Sequence, residues 1–407
     1  MIDYYATKSQ PITKLMVWQA YKRVRANKGS GGIDGMSWTY LDLNAGKELY
    51  KLWNRMSSGS YYPKSVRQVG IPKKDGGTRY LGVPTLLDRI AQEVVRLHLE
   101  RILDPLFHKS SFGYRRGKSA HQAVAASMNN CINHDFVIDL DIKGYFDNID
   151  HELLLKGLTH YCKDKWVVMY VERWIKAGVI TTEGMYQDRL TGTPQGGVIS
   201  PLLSNLFLHI VFDKWMEKYY PEKPFERYAD DIVVHCKTER QANYMKRMIR
   251  NRMLSCKLTL HPEKTKVVNL RGRAEKKYPK RYDFLGFTIK PHVIQCRDKA
   301  RVMPGVFVSQ KSKQSAFRKF RELELHKWRK PITELAKVVN PIVRGLSNYY
   351  QKFWDGVLSH VWHQLNIRLL KWVKWEKGLQ GRAAKRWLYG QFKLQPGLFL
   401  HWRWVHP

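Results

Sequence analysis

The chain has 407 residues, and its 71 Lys and Arg side chains against 35 Asp and Glu leave a formal net charge of +36. Such an excess predicts a polyanionic partner, and a nucleic acid is favoured because each neutralised phosphate releases counterions. An anionic membrane surface is the alternative, although no stretch approaches the roughly 20 apolar residues of a membrane span. The five scattered cysteines lack a Cys-x-x-Cys pair, which favours reduced structural thiols in a cytosolic protein over a metal site.

Helices and a hairpin are predicted along the N-terminal part of the chain. Apolar residues at helical spacing predict a helix over residues 12–24, which ends at the glycine-rich segment 27–32. We expect this segment to be a flexible connector and not a nucleotide loop, because no strand precedes it and no Gly-Lys-Ser/Thr follows it. Residues 61–83 predict two short strands around the Asp75-Gly76-Gly77 turn, and a helix is expected over residues 85–103.

Acidic residues follow predicted strands in the middle of the chain. Residues 136–142 alternate, so that Asp139 and Asp141 share one face of a strand, and Asp230-Asp231 lie at a tight connection between two apolar strands. If these strands are neighbours in one antiparallel sheet, the carboxylates converge. Adjacent acidic residues often mark a solvated turn, but carboxylates flanked so closely by buried strands are costly unless a metal compensates them. The pattern therefore favours a site for two Mg²⁺ ions of the kind that catalyses nucleotidyl transfer.

Four sequence blocks resemble the reverse transcriptases. Tyr228-Ala229-Asp230-Asp231 resembles their signature, and three other blocks follow the family's order: the first carboxylate motif at 141–147, the template and nucleotide block at 192–201, and the primer-grip block at 284–287. Segments 8–36 and 340–350 are similar to the N-terminal extension and the thumb, or maturase, motif of group II intron proteins. The resemblance is to group II intron reverse transcriptases of the bacterial type, and it covers nearly the whole chain.

The resemblance assigns roles to the matching residues. It implies that Asp141 and Asp230 bind two Mg²⁺ ions with the support of Asp231, whereas Asp139 precedes the motif and is structural. The implied contacts to the incoming nucleotide are Lys73, with its neighbour Lys74 as a competing assignment, Arg79, Phe146, Gln195 and Lys264. Phe146 lies where the family places an aromatic ring that excludes a 2′-hydroxyl. The implied primer grip is Phe284, Leu285 and Gly286.

The implied architecture is an α+β right hand. Its parts are an N-terminal extension with the start of the fingers (1–60), fingers and palm with an antiparallel palm sheet (61–304), an all-α thumb or maturase domain (305–390) and a basic aromatic tail (391–407). From Lys311 to Pro407 there are 20 Lys and Arg against 5 Asp and Glu, interleaved with tryptophans. These helices can pack on one side and present cations to RNA on the other, so packing and binding are both predicted.

The implied function is RNA-directed DNA synthesis in the bacterial cytoplasm, with nucleoid association as a further option, and assistance to the splicing and mobility of a group II intron. The implied partners are an RNA template, a DNA or RNA primer, deoxynucleoside triphosphates and intron RNA, without a membrane. One alternative is an RNA-binding splicing factor whose polymerase is idle, although all motif carboxylates are present. The other is a domesticated or defence-linked reverse transcriptase without an intron.

Metal-binding residue types are sparse beyond the maturase motif. No cysteine follows Cys296, and the later histidines are His360, His363, His401 and His406. They form neither a zinc support nor a His-Asn-His nuclease cluster, and the first two are expected to pack or to face solvent. We therefore expect no second-strand cleavage and a primer supplied from elsewhere, such as a nascent strand at a replication fork.

Overall fold

A computed structural model describes residues 3, 5–72, 77–271, 277–296 and 299–407. The α-helices are α1 (Lys14–Ala26), α2 (Trp38–Leu43), α3 (Ala45–Ser58), α4 (Leu86–Leu103), α5 (Ala120–Asn133), α6 (His151–Tyr161), α7 (Lys165–Ile175), α8 (Ser200–Leu208), α9 (Lys214–Tyr219), α10 (Glu239–Ser255), α11 (Gln310–Glu322), α12 (Ile332–Tyr350), α13 (Ser359–Lys377) and α14 (Gly381–Leu394). Within these described ranges no helix combines the length and the apolar composition needed to cross a membrane.

The strands form small, mostly antiparallel sheets. They are β1 (Val66–Pro72), β2 (Thr78–Val83), β3 (Phe136–Leu140), β4 (Val179–Ile180), β5 (Tyr186–Gln187), β6 (Phe225–Tyr228), β7 (Asp231–Cys236), β8 (Lys266–Asn269), β9 (Tyr282–Phe284), β10 (Phe287–Cys296) and β11 (Lys299–Val308). One sheet has the order β2-β1-β4-β5, another the order β11-β10-β9, and β6, β7 and β3 lie side by side in that order. Helices and strands are mixed, which confirms the predicted α+β class.

Contacts divide the chain into two compact units. The first comprises Met1–Ala123 and Ile138–Lys266, and the second comprises Val124–Val137 and Val267–Pro407. In the first unit, α4 begins where the sequence predicts, because the Thr85 side chain accepts a hydrogen bond from the Asp88 backbone N–H. Ile90 and Val94 of its apolar face are buried. The amphipathic pattern that predicts this helix is therefore its packing face.

The glycine-rich segment 27–32 connects α1 to α2, as predicted, and side chains from other parts of the chain anchor it. Trp38 Nε1 donates to the Gly29 carbonyl over 2.6 Å, and Arg67 Nη2 donates to the Gly31 carbonyl over 2.9 Å. A Cβ on Gly32 would lie 2.5 Å from Thr85 Cα, so the segment packs against the start of α4. Packed backbone needs hydrogen-bond partners, and these come from residues that local sequence patterns do not connect.

Helices α11 to α14 of the second unit share one hydrophobic core. Its fully buried members include Leu335, Val339, Trp362, Trp372, Leu388, Phe399 and Trp402. Trp354 and Trp375, in contrast, are 46% and 57% exposed. The predicted packing of these helices is confirmed, and some of their tryptophans are exposed at the surface. Phe399 and Trp402 bring the segment after α14 into this core.

The described cysteines are buried, and the two histidines of α13 pack or face solvent. Cys131, Cys162, Cys236 and Cys256 are buried and reduced, which confirms the prediction of structural thiols for the cysteines whose side chains are described. In α13, His363 is exposed, and the His360 ring lies 5.6 Å from that of Phe317. These two histidines therefore pack or face solvent, as expected.

Candidate active site

The turn between β6 and β7 carries Asp230. Tyr228 pairs with Asp231 at the end of the antiparallel ladder, so Ala229 and Asp230 form a two-residue connection. Ala229 has a φ of 57°, a left-handed conformation that costs an alanine free energy. A Cβ at Gly113 would lie 2.4 Å from Ala229 N, so only a glycine allows the backbone at 113 to cover the turn this closely. The predicted hairpin is confirmed.

Asp141 follows the last residue of β3, the strand beside β7. Its backbone N–H donates to Thr265 Oγ1 over 3.3 Å, and its carbonyl accepts from the His261 N–H over 2.7 Å. Ile142 forms an isolated bridge with Leu260. The segment after α10 therefore fixes the backbone on both sides of this carboxylate.

The carboxylates of Asp141 and Asp230 interact electrostatically. Burial raises the pKa of Asp230 above its ordinary value, and repulsion from Asp141 raises it further, while Arg79 and Arg227 oppose the rise. Two like charges in a partly buried site are unfavourable at neutral pH unless a cation compensates them. A carboxyl group such as that of Asp230, whose pKa is raised by burial and by a nearby like charge, is typical of functional sites.

The donors in this site suit Mg²⁺. Mg²⁺ is commonly held by one or two carboxylates, with water and substrate phosphates completing an octahedral shell. Asp141 and Asp230 offer hard oxygen ligands, and their mutual repulsion is relieved by a divalent cation. Among the described residues, no three His, Cys, Asp or Glu side chains form a group that could hold a metal without other ligands. Asp231 starts β7, opposite Tyr228.

Two of the predicted nucleotide-binding residues contact each other. Arg79 Nε donates to Gln195 Oε1 over 2.6 Å, and Gln195 Nε2 lies 3.2 Å from Asp147 Oδ2. Arg79 also acts on Asp230, as its effect on the pKa of that group indicates. The charge of Arg79 therefore acts on the carboxylate site, and Arg79 is joined by hydrogen bonds to Gln195 and through it to Asp147. Lys73 and Lys74 lie outside the described residues.

Phe146 is largely buried beside a tightly packed turn. It lies in a single 3₁₀ turn, Tyr145–Asp147, and is 9% exposed. Its carbonyl accepts from the Thr193 N–H over 2.8 Å. Gly192 has a φ of 80°, and a Cβ there would lie 2.7 Å from the Phe146 carbonyl oxygen, so this approach requires glycine. The template and nucleotide block therefore packs directly on the turn that carries Phe146.

Lys264 forms an ion pair with a carboxylate of the site. Its Nζ lies 3.6 Å from Asp141 Oδ2, and the two side chains are 60% and 41% exposed. Solvent screens a pair this exposed, so the pair adds little to stability. Six of the predicted site residues lie in the first compact unit: Asp141, Asp230, Arg79, Gln195, Phe146 and Lys264.

The predicted primer-grip residues lie in the second compact unit and form a tight turn between β9 and β10. Leu285 and Gly286 both have positive φ values, of 52° and 82°. Tyr349 Oη donates to the Leu285 carbonyl over 2.8 Å, and Ser312 Oγ donates to the Gly286 carbonyl over 3.0 Å. Helices α11 and α12 therefore hold this turn, and the contact from α12 comes from the maturase motif.

Comparison with protein families decides the identity of these motifs. The profile of the reverse transcriptase (RNA-dependent DNA polymerase) family matches residues 71–289, more than half of the chain. The chain belongs to the reverse transcriptase family. The profile of the group II intron, maturase-specific domain matches residues 313–389 of this reverse transcriptase. Both matches confirm the resemblance found in the sequence blocks. Members of the family generally use divalent metal ions.

Curated relatives support the same grouping. The reverse transcriptase is 36% identical over 191 residues to the group II intron-encoded protein LtrA of Lactococcus lactis subsp. cremoris, which is 47% of this chain and 32% of LtrA. It is 33% identical over 274 residues to protein YkfC of Escherichia coli, covering 58% and 71% of the two chains. A putative COX1/OXI3 intron 1 protein of Saccharomyces cerevisiae is 32% identical over 62% of this chain and 29% of its own length. The matches to LtrA and to the COX1/OXI3 intron 1 protein each cover less than a third of the relative's own length.

Sequence patterns miss the residues beneath the Asp230 turn. Arg227 and Asp213 form an ion pair in which both side chains are 0% exposed, and Asn205 is equally buried. The available signal is Arg227 itself, since an arginine in a buried apolar strand requires a partner. The partner is 14 positions away, in a helical segment, and no local pattern of this reverse transcriptase identifies it.

Proposed function

We propose that this reverse transcriptase copies RNA into cDNA by two-metal nucleotidyl transfer and assists the splicing and mobility of a group II intron. The observation that carries the proposal is that Asp141 follows β3 and Asp230 lies in the β6–β7 turn, on neighbouring strands, where Asp141 raises and Arg79 lowers the pKa of Asp230. The family match and the intron-encoded relatives support it. The substrates are an RNA template, a DNA or RNA primer and deoxynucleoside triphosphates.

Asp141 and Asp230 are the proposed ligands of two Mg²⁺ ions, with Asp231 in support. When bound, the two ions activate the primer 3′-hydroxyl and stabilise the charge that develops on the leaving pyrophosphate. The protein contributes the positions of the carboxylates. The backbone of Asp141 is hydrogen-bonded on both sides, and Asp230 lies at the tip of a covered turn, so little reorganisation is needed when substrate binds.

The residues around the carboxylates select and orient the nucleotide. Arg79, together with Lys73, binds the triphosphate, because paired cations stabilise charge on transferring phosphates. Gln195 is oriented by Arg79 and Asp147 and contacts the incoming nucleotide. Phe146 forms the wall that excludes a 2′-hydroxyl. Lys264, which is exposed beside Asp141, binds a phosphate oxygen of the nucleotide.

The remaining elements correspond to the parts of a right-hand polymerase. The β1–β2 hairpin belongs to the fingers, β3, β6 and β7 belong to the palm, and Phe284, Leu285 and Gly286 grip the primer. The helices that follow β11 form the thumb or maturase domain and bind template–primer and intron RNA. Support comes from the excess of 20 Lys and Arg over 5 Asp and Glu from Lys311 to Pro407 and from exposed aromatic rings such as Trp375.

The experiment is primer extension on an RNA template with deoxynucleotides and Mg²⁺. Asp230→Ala and Asp141→Ala are each expected to lower the rate of cDNA synthesis by about 100-fold or more, since a metal ligand is lost. Affinity for RNA, measured by filter binding, should change by less than about twofold because the basic surface remains. Asp188→Ala, which removes an exposed carboxylate, is the matched control and should retain wild-type synthesis.

Two results would contradict the proposal. Synthesis near the wild-type rate by Asp230→Ala would remove the carboxylates from catalysis. A wild-type chain that binds RNA and promotes intron splicing, yet extends no primer, would instead identify an RNA-binding splicing factor.

A further inference from the structure

A fully buried ion pair lies beneath the turn that carries Asp230. Arg227 Nε donates to Asp213 Oδ1 over 2.8 Å, and Arg227 Nη2 donates to Asp213 Oδ2 over 2.6 Å. Both side chains are 0% exposed. This is the bidentate geometry in which an arginine is held most rigidly. Arg227 is in β6, two residues before Ala229, so the pair fixes a side chain directly adjacent to the turn.

The remaining donors of Arg227 reach the turn and the segment that covers it. Arg227 Nη1 donates to the Ala229 carbonyl over 3.2 Å and to Asn205 Oδ1 over 2.9 Å. Asn205 Nδ2 in turn donates to the carbonyl of Gly113 over 2.7 Å. Gly113 is the residue whose missing Cβ allows close approach to Ala229. One guanidinium therefore connects Asp213, the strained residue of the turn and the backbone that covers it.

The partner carboxylate belongs to an irregular helix. Residues His209–Asp213 form a π-helical segment between α8 and α9. The Ile210 and Val211 carbonyls in this segment accept hydrogen bonds from Arg252, over 3.3 Å and 2.9 Å. Such segments recur at functional sites. Here the π-helical segment ends at Asp213, the residue that faces Arg227.

Burial of this ion pair is costly, so folding alone does not explain it. Removing two charges from water is expensive, and well-packed apolar residues often replace a buried pair without loss of stability. Hydrogen bonds from Arg227 to Ala229 and Asn205 are a contribution that apolar residues cannot replace. Ala229 needs such bonds because its left-handed backbone is strained.

We propose that Arg227, locked by Asp213, is a positioning residue that holds the Ala229–Asp230 turn in the conformation that binds the catalytic metal ions. This inference rests on the proposed polymerase function and adds to it residues that touch neither substrate nor metal. Groups that orient metal ligands are worth roughly 10–100-fold in metal affinity or activity. The Arg227–Asp213 pair acts in this way through the backbone of the turn.

The decisive variant is the double substitution Arg227→Met/Asp213→Leu, which replaces the buried pair with apolar side chains. It removes the charges together, so no charge is left buried without its partner. The variant should still fold, with a modest fall in the thermal unfolding midpoint because the Asn205 and Ala229 oxygens lose a hydrogen-bond donor. The Mg²⁺ concentration for half-maximal primer extension should nevertheless rise by about 10–100-fold. Mn²⁺ binding, measured by electron paramagnetic resonance in a complex with a chain-terminated primer and a deoxynucleotide, should weaken by a similar factor.

Two further variants keep the test interpretable. Arg227→Lys retains the charge opposite Asp213 but cannot bond Asp213, Asn205 and Ala229 together, so it should show the same Mg²⁺ and Mn²⁺ changes even if the double variant fails to fold. Asp88→Asn alters a buried carboxylate in α4 that bonds Tyr61 and Thr85. This control should lower stability without changing the Mg²⁺ requirement.

The outcomes separate this inference from the proposed function. A stable double variant with wild-type Mg²⁺ requirement and Mn²⁺ affinity would overturn the positioning role and leave the pair as part of the folded core. Failure of the wild-type chain to extend a primer would contradict the polymerase function. Mn²⁺ affinity would then still decide whether Arg227 positions the turn, since that measurement does not depend on synthesis.

Discussion

Asp141 and Asp230 carry like charges in the same site, and their repulsion lowers the stability of the metal-free protein. Burial and the nearby Asp141 charge both raise the pKa of Asp230, which means that the folded chain holds a proton there more tightly than the unfolded chain. At neutral pH the ionised carboxylate therefore disfavours folding. Catalytic sites often oppose stability in this way.

Asp230→Asn is accordingly expected to stabilise the metal-free chain while abolishing cDNA synthesis. The free energy of unfolding at neutral pH should rise by about 0.5–2 kcal/mol. Because the pKa of Asp230 is raised, the folded chain gains stability from binding this proton. That gain is complete below the ordinary aspartate pKa and is lost as the pH rises through the raised value. The difference in the free energy of unfolding between Asp230→Asn and the wild type should therefore shrink in acid. Urea denaturation in the presence of a chelator measures it.

Asp188→Asn, at an exposed position, is the control and should leave the free energy of unfolding unchanged. A variant Asp230→Asn that is less stable than wild type at every pH would mean that Arg79 and Arg227 already compensate the Asp230 charge.

Among the elements, the segment after α14 is held by one amide of α13. Asn366 Oδ1 accepts from His401 Nε2 over 2.7 Å and from Trp402 Nε1 over 3.1 Å. Asn366 Nδ2 donates to the His406 carbonyl over 3.0 Å. His401 is 0% exposed, and its Nδ1 has no hydrogen-bond partner in the described part of the chain. Burial therefore lowers the pKa of His401 to about 3 and keeps the ring neutral.

The lowered pKa of His401 predicts that the protein loses stability in mild acid. The pKa of His401 in the folded chain lies below the ordinary value of 6.5. The stability that the neutral ring contributes is therefore complete above pH 6.5 and is lost as the pH falls towards about 3. Between about pH 7.5 and pH 5 the chain should lose about 2 kcal/mol through this group. His401→Gln should remove that part of the pH dependence, although it lowers stability at neutral pH. Urea denaturation across this range measures both effects.

His406→Gln is the matched control, because His406 is exposed and its ring stacks on Phe392. It should keep the wild-type pH dependence. An unchanged dependence in His401→Gln would place the acid sensitivity in other groups.

Across the whole molecule, the net charge of +36 exceeds what solubility requires. On α13, Lys371 and Lys374 border an open hollow of about 360 Å³ that Trp375 also lines. Cations beside an exposed aromatic ring suit RNA, since phosphates pair with the cations and a base stacks on the ring. Affinity for RNA should then depend on where these charges lie and not only on their sum.

Lys371→Gln/Lys374→Gln is expected to reduce the slope of log affinity for template–primer against log salt by about 1.4–1.8, since two phosphates lose their partners. The control is Lys327→Gln/Lys337→Gln, which makes the same change in net charge. Lys327 and Lys337 are already paired with Glu324 and Glu334, each over 2.7 Å. Fluorescence anisotropy titrations at several salt concentrations give both slopes. Equal slopes for the two double variants would exclude a local contact at Lys371 and Lys374.

The sequence by itself determined the features that depend on neighbours in the chain. Strand-like apolar segments on both sides of Asp230 predicted the β6–β7 hairpin, and Thr85 before an amphipathic run predicted the start of α4. The ordered motif blocks identified the family and the polymerase residues that it implies. Such local patterns are readable because hydrophobic periodicity and capping act within a few residues. The sheet β4–β5 and the long β10–β11 hairpin, in contrast, were not predicted.

Only the tertiary structure decided how distant side chains combine. Arg79 and Gln195 are 116 residues apart, and Lys264 pairs with Asp141 across more than a hundred positions. The glycine-rich segment 27–32 was expected to be flexible because its partners, Trp38 and Arg67, are not evident from its own residues. Arg227 and Asp213 were missed for the same reason. A buried polar group needs a hydrogen-bond partner, but its chemistry does not specify which residue that partner is. The partner depends on how distant segments pack together.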